Sequence, residues 1–444
     1  MVSRRDFLKY GTACCAAGAG IGLPSFGYAN PLPQDATDVE VYYIYQAGGN
    51  DTLHNFVPYT DPLYRQLRPT LGFEAPEEDP VHSVLDFTTT ETLNGTDPMV
   101  LGLNPGMEKY KQLHDAGLVK TYLASSHMFG GQTGSHFRGT DMAMWGLLNP
   151  TLNDSGWMAR MLNETESDHA IRGYSITNTL DKPITFNGNE QTAALKALAD
   201  TDVGDMGDVL SHLYRIEGAD NVASEMAQGI QAWEQLSNIG QDNGDIDLAT
   251  LNSNFHVQTQ VAALLDAQAK VLVHPGYDFH QNQNRGIVQN QNSLSRRLES
   301  FWDAIYQMVQ TIMARGKMEQ TVIFIMSEFG RRGYEGSAMG SDHGKGGHLN
   351  VIGSPSRLRN MGMVYSGEWA GLSQLDDGNL PFAIDTKKLM AQDLWDMYGD
   401  HLSLESVVNI FPDIDPTGLI APGGQSSSGE FGGSAGTAVS TDGA

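Results

Sequence analysis

Acidic residues, histidines and hydroxyls recur in short clusters, each just beyond an apolar run. Gly48-Gly49-Asn50-Asp51 follows VEVYYIYQ, and Thr133-Gly134-Ser135-His136 follows LVKTYLA. Asp278 and His280 follow Val271-Leu272-Val273. Ser327-Glu328 follows TVIFIM, with Arg331 three residues further on, and Asp342-His343 lies in the Gly-rich loop after that. Carboxylates suit hard divalent cations, and imidazole extends the set to zinc-type ions. Asp278 and His280 are two residues apart, so in an extended segment they point to the same side and can reach one ion. A pair of carboxylate-held ions can grip a phosphoryl or sulfuryl group and activate a hydroxyl or a water. Ser135 opens a helix after a Gly-rich turn, where it is placed to attack, and the amides of a helix start favour an anion.

Each residue also has a plainer role. Asp51 after two glycines suits a turn or a cap. Ser135 is a natural N-cap, and His136 can pack or cap. Glu328 can pair with Arg331 or Arg332, and Asp342 to Gly344 can be a simple turn. His54, His274 and His348 lie near the clusters without any feature that singles them out.

The elements that would position these side chains are legible. Val39–Gln46 reads as a strand, Met107–Ala116 as a helix and Leu118–Ala124 as a second strand. Arg138–Leu148 reads as a helix, as does much of the polar stretch from about 200 to 270. Leu294–Arg315 is the clearest helix, with Leu294, Leu298, Phe301, Ile305, Met308, Val309 and Ile312 on one face. Thr321–Met326 is continuously apolar, as a buried parallel strand would be, and Leu349–Ile352 is a further strand. Alternation of strands and helices predicts an α/β fold with a mostly parallel sheet and helices on both faces. In such sheets ligands bind at the C-terminal strand ends, which is where the polar clusters fall.

Composition narrows the function. The chain has 444 residues and a formal net charge of −26. Residues 1–29 read as a signal peptide: Arg4-Arg5-Asp6-Phe7-Leu8-Lys9, a short small-residue apolar stretch, and Gly27-Tyr28-Ala29 at the expected cleavage site. The adjacent arginines resemble the twin-arginine type, whose translocase would be a partner during export. Arg4, Arg5 and Lys9 against Asp6 give the signal +2, so the mature chain carries −26 − 2 = −28. That charge argues against nucleic acid as a partner and against anionic membrane surfaces. No later stretch is apolar enough to span a bilayer. Both cysteines, Cys14 and Cys15, fall inside the signal, so any metal site in the mature protein must use His and carboxylates. The expected organisation is one α/β domain over 30–421 with a helical insertion in its middle. A Gly/Ser-rich tail over 422–444 is predicted to be disordered.

The motifs together resemble the family called domain of unknown function 1501. They are Gly48-Gly49-Asn50-Asp51 with Val57-Pro58-Tyr59 and Arg68-Pro69, then Ser135-His136-Phe137, Gly156-Trp157-Met158-Ala159-Arg160, Tyr277-Asp278-Phe279-His280, Ser327-Glu328-Phe329-Gly330-Arg331 and Asp342-His343-Gly344. The family looks like a branch of the alkaline-phosphatase-like superfamily. The resemblance implies an alkaline-phosphatase-like fold with a metal site at the sheet edge, holding one or two divalent ions (zinc, magnesium, calcium or manganese). It implies Asp51, Asp278, His280, Glu328, Asp342 and His343 as metal ligands. Ser135, with Thr133 as second choice, falls at the nucleophile position, and His136 and Arg331 complete the candidate catalytic set. The superfamily usually has Asp-His where this chain has Glu328-Phe329, so one imidazole is absent there.

The leading expectation is an exported metal-dependent hydrolase of a small or polymer-borne phosphate or sulfate ester. The alternative is a non-catalytic secreted binding or assembly protein on the same fold. A metal-free polysaccharide-modifying enzyme is a third reading.

Overall fold

A computed structural model describes residues 39–422, apart from 77, 80–81, 93–97, 128–133, 168, 170, 177–183, 190, 195–234, 237, 240–241, 244–245, 284–292, 367–371, 381 and 383. The signal peptide, Thr133, most of the 200–270 stretch up to 234, and the tail from 423 lie outside the described residues. The strands are β1 (Glu40–Ala47), β2 (Phe56–Val57), β3 (Leu85–Thr92), β4 (Pro98–Leu103), β5 (Val119–Ser126), β6 (Gly173–Ile176), β7 (Thr192–Ala194), β8 (Ala269–Pro275), β9 (Thr321–Met326), β10 (Gly347–Gly353), β11 (Val364–Ser366) and β12 (Ile384–Asp385).

Nine strands form the central sheet in the order β11-β5-β10-β9-β1-β8-β6-β7, with β12 also on β5. All neighbours are parallel except at β10, which runs antiparallel to both β5 and β9. The α/β class and the mostly parallel sheet are therefore as expected from the sequence. The short β2-β4-β3 sheet is antiparallel and was not foreseen.

The strand period sorts the core. Along β1, Tyr42 and Ile44 join one apolar cluster and Val41, Tyr43 and Tyr45 join the other, because successive side chains leave opposite faces. Thr321–Met326 splits the same way, which explains why it reads as an unbroken apolar run. The first cluster takes in the helices Glu108–Asp115, Phe255–Leu264 and Leu294–Ala314; the second takes in Trp157–Glu164, Thr386–Tyr398 and Leu404–Ile410. Helices thus cover both faces. In Leu294–Ala314 all seven apolar residues predicted for one face are buried, with Trp302 beside them. Each contributes roughly 2 kcal/mol of burial, which anchors that face firmly. Among the described residues no helix is long and apolar enough to cross a membrane.

Candidate metal centre

β1, β8, β9 and β5 run the same way, so their C-terminal ends share one rim, and β10 begins there because it runs in reverse. Gly48 to Asp51, Tyr277 to His280 and Ser327 to Arg331 all leave from this edge, where β5 also ends at Ser126. Asp342 and His343 enter it just before β10. His136 arrives as the first residue of the helix His136–Trp145, whose N-cap is Ser135.

Four side chains converge: one ligand atom from each of His136, Asp278, His280 and His343 lies within 4.8 Å of the others. His280 Nε2 is 2.8 Å from His343 Nε2 and 3.1 Å from Asp278 Oδ1. His343 Nε2 is 3.4 Å from the same oxygen, and His136 Nε2 is 3.3 Å from Asp278 Oδ2. Ligands of a tetrahedral zinc-type ion, with bonds of about 2.1 Å, sit roughly 3.4 Å apart. The cluster has nearly that spacing.

The outer nitrogens are oriented. His136 Nδ1 lies 2.7 Å from Glu328 Oε1. A carboxylate only accepts, so Nδ1 carries the hydrogen and Nε2 presents a lone pair to the cluster. Among the described residues that buried Nε2 has no hydrogen-bond partner. His343 Nδ1 donates to the Gly134 carbonyl, which leaves its Nε2 with a lone pair facing the cluster. His280 Nδ1 faces Asp342 Oδ1 at 3.6 Å. Backing of imidazoles by carboxylates and carbonyls is the usual support of metal-binding histidines. An orphaned nitrogen, three inward Nε2 atoms and one carboxylate therefore fit a divalent ion.

The remaining candidates divide. Glu328 is buried, accepts from Gly48 N at 2.8 Å and from Ser327 Oγ at 2.8 Å, and supports His136. Asp342 is exposed, caps the His343 amide at 2.8 Å and backs His280. Asp51 is elsewhere: it caps the turn Thr52–Asn55 and takes both Arg68 Nη atoms, at 2.8 and 3.0 Å, and Gln283 Nε2 at 2.7 Å. Burial raises its pKa, but Arg68 outweighs that and holds the carboxyl down at about 2. Arg331 is fully buried. Its guanidinium donates to the carbonyls of Gly48, Gly49, Tyr277 and Ser341, and to Asp278 Oδ1 at 2.5 Å. It locks three loops around the site. Burial pushes the Asp278 carboxyl up, yet the Arg331 hydrogen bond and charge, with His280 and His136, keep it below its ordinary value. Burial also lowers the pKa of His280, which favours a neutral ring. Ser135 Oγ accepts from Arg138 N at 3.5 Å and is exposed at the rim.

Phe329, standing where an imidazole was lacking, packs at 5.0 Å from the His136 ring and 4.7 Å from the His343 ring. It is a wall for both histidines. Sequence reasoning placed His136 with the catalytic residues; the geometry sets it in the ligand group. Neither the Arg68 clamp on Asp51 nor Gln283 was found from sequence, since Gln283 lies 232 positions from Asp51 and Arg68 showed only as part of the dipeptide Arg68-Pro69.

The model of the family described as protein of unknown function (DUF1501) matches residues 146–356. That match bears out the family resemblance read from the motifs, and it spans Asp278, His280, Glu328 and His343. The comparison with curated proteins gives no match. Among solved structures, the chain is similar to a protein in the alkaline phosphatase superfamily from Vibrio parahaemolyticus, at 11% identity over 83% of this chain and 72% of that one, TM-score 0.32. It is similar to the zinc complex of the C-terminal periplasmic domain of EcEptC from Escherichia coli, at 8% identity over 76% and 78%, TM-score 0.31. It is also similar to alkaline phosphatase from the Antarctic bacterium TAB5, at 9% identity over 74% and 94%, TM-score 0.29.

Proposed function

We propose that this protein is an exported metal-dependent hydrolase of a phosphate or sulfate ester, with His136, Asp278, His280 and His343 holding one divalent ion. The observation that carries the reading is the convergence of three imidazole Nε2 atoms on one carboxylate, with His136 and His343 each hydrogen-bonded to an acceptor through Nδ1. Three imidazoles to one carboxylate favour a zinc-type ion over magnesium or calcium, which prefer all-oxygen sets. Such an ion, when bound, polarises an ester oxygen and lowers the pKa of water. The chain's own groups do the rest. Glu328 holds the His136 proton on Nδ1, Arg331 fixes the loops that carry Asp278 and Ser341, and Phe329 shields two imidazoles from water. Ser135, exposed beside His136, attacks the ester or holds its anionic head. Thr133, whose place lies outside the described residues, is the second candidate for that role. Asp51, bound by Arg68, Gln283 and the Leu53 amide, serves as a support of this rim.

The twin-arginine start supports action outside the cytoplasm. The test is to purify the mature protein from an exporting host, measure bound metal, and screen aryl phosphate, diester and sulfate esters. The expected result is about one zinc-type ion per chain, lost in His280→Ala, with turnover lost alongside it. Metal-free, inactive protein from that host overturns the proposal. A second reading, a non-catalytic binding protein, is favoured by the Arg68 clamp on Asp51, which removes one expected ligand; metal-loaded protein without turnover of any ester class would select it.

A further inference from the structure

The helix His136–Trp145 presents both Ser135 and His136, yet apolar packing begins only well along it. Met142 packs with Phe329, and Ala143 and Met144 reach the main core further on. What grips the first turns is polar. Tyr45, near the end of β1, brings its buried hydroxyl 2.6 Å from Thr140 Oγ1. His127, just beyond β5, donates through Nε2 to the Gly139 carbonyl at 3.1 Å. The Tyr43 hydroxyl donates to the Ala143 carbonyl at 3.2 Å. Gly139 lies close on the loop after β9: a Cβ there would come 3.0 Å from the Glu328 Cβ and 3.2 Å from its carbonyl oxygen.

Tyr45 holds more than Thr140. It is in register with Met326 of β9, and a residue two further along an extended chain leaves toward the same face. Burial, and then the charge and hydrogen bonding of the Glu328 carboxylate, push the phenol's pKa well above its ordinary value, so the phenol keeps its hydrogen. Thr140 can donate to the phenol oxygen, which frees that hydrogen for Glu328. Glu328 in turn takes His136 Nδ1 at 2.7 Å. His136 and Thr140 are four residues apart and share one helix face. The contacts therefore close a loop from His136 through Glu328, Tyr45 and Thr140, and back along one helical turn. Each member is held on two sides, which fixes the seat of the helix and the rotamer of its first histidine together.

We propose that Tyr45 is a positioning residue of the metal site, which acts through Thr140 and Glu328 to hold the helix turn that presents His136 to the ion. This rests on the metal-site reading above. It adds to that reading a residue that touches neither the ion nor a substrate.

Zinc affinity of the full mature chain is measured by competition with a chromophoric chelator, and the visible bands of the cobalt(II)-loaded protein report the ligand geometry. Tyr45→Phe should weaken zinc binding about tenfold and shift the cobalt bands. Thr140→Val should do the same, whereas Thr140→Ser, which keeps the hydroxyl, should stay within about twofold of the wild type. The control is Tyr42→Phe, on the opposite face of β1, whose buried hydroxyl donates to Glu40 Oε2 at 2.8 Å. That change should lower Tm and leave both metal readouts as they are. Wild-type zinc affinity in Tyr45→Phe, or an equal loss of affinity in Tyr42→Phe, overturns the positioning role while the metal site stands. If Tyr45→Phe does not fold, the Thr140 pair decides: equal affinities of Thr140→Val and Thr140→Ser overturn the role. A wild-type chain that takes up no zinc overturns the reading of the site itself.

Discussion

Glu328 shows how little a residue's type says about its role until its partners are known. As a carboxylate at a strand end it qualified as a metal ligand. In the fold its two oxygens are taken by the Gly48 amide, the Ser327 hydroxyl and His136 Nδ1, and what it offers is orientation. Replacing it by glutamine keeps the shape but permits the amide nitrogen to face His136, which removes the preference for the Nδ1–H form. Glu328→Gln should therefore weaken zinc binding about 10- to 100-fold while leaving Tm within a few degrees, read by competition with a chromophoric chelator. His136→Ala, which deletes the ligand atom, should weaken it more. If Glu328→Gln binds zinc as the wild type does, the orienting role is gone. That these residue types gather at strand ends was visible in the sequence. Which atom of each faces inward was not, because that depends on hydrogen bonds between residues such as His136 and Glu328, 192 positions apart.

β10 marks the same boundary between legible and hidden information for elements. Several elements appear nearly where periodicity placed them: Leu294–Ala314, Thr321–Met326 and Glu40–Ala47 differ by at most a residue from expectation, whereas the helix carrying His136 runs from His136 to Trp145 and not from Arg138 to Leu148. The reversal of β10 did not show, since Leu349–Ile352 is apolar in either direction and orientation is decided by pairing with β5 and β9. Yet the reversal matters, as it starts the strand at the rim and so brings Asp342 and His343 to Asp278. The turn after β1 is likewise exacting. Gly48 sits at φ 126° and a Cβ there would meet the Asp278 backbone nitrogen at 2.4 Å; Gly49 sits at φ 76° and a Cβ would meet the Phe329 ring at 2.4 Å. Gly48→Ala should cost about 2–4 kcal/mol through combined backbone strain and collision. Because the collision falls on Asp278 itself, it should also reduce metal binding, whereas an equally destabilising change in a helix far from the rim should not. Denaturant unfolding with and without zinc separates the two.

At the scale of the whole molecule, an excess of acid coexists with histidines buried uncharged. Burial, with nearby positive charge, holds His127 down at about 3 and His274 at about 3, and burial against the opposing charge of Asp51 sets His348 at about 4. A histidine whose folded pKa is depressed contributes stability that is complete above its unfolded value near 6.5 and is lost as pH falls toward the folded one. Asp51, held at about 2 by Arg68, adds a loss of the same sign that begins only below about 4. Asp393 works the other way: burial raises it to about 6, so its share is present at low pH and lost on the way up through 6. Burial also raises Asp385 and lowers His114 and His280, so five depressed histidines stand against two raised carboxyls and acid is the damaging direction. Across pH 6.5 to 4.5 most surface carboxylates stay ionised, so the repulsion within a chain of −26 is relieved only slightly there. The metal-free protein should thus lose Tm steadily from pH 6.5 to 4.5, and His348→Gln should flatten part of that slope. Raising salt to about 1 M, which cuts the screening length to about 3 Å, should lift Tm at every pH through the surface charge without changing the slope, since the imidazoles of His127, His274 and His348 are out of reach of solvent ions. A slope that vanishes in salt would instead place the acid sensitivity on the surface and take it away from the buried rings.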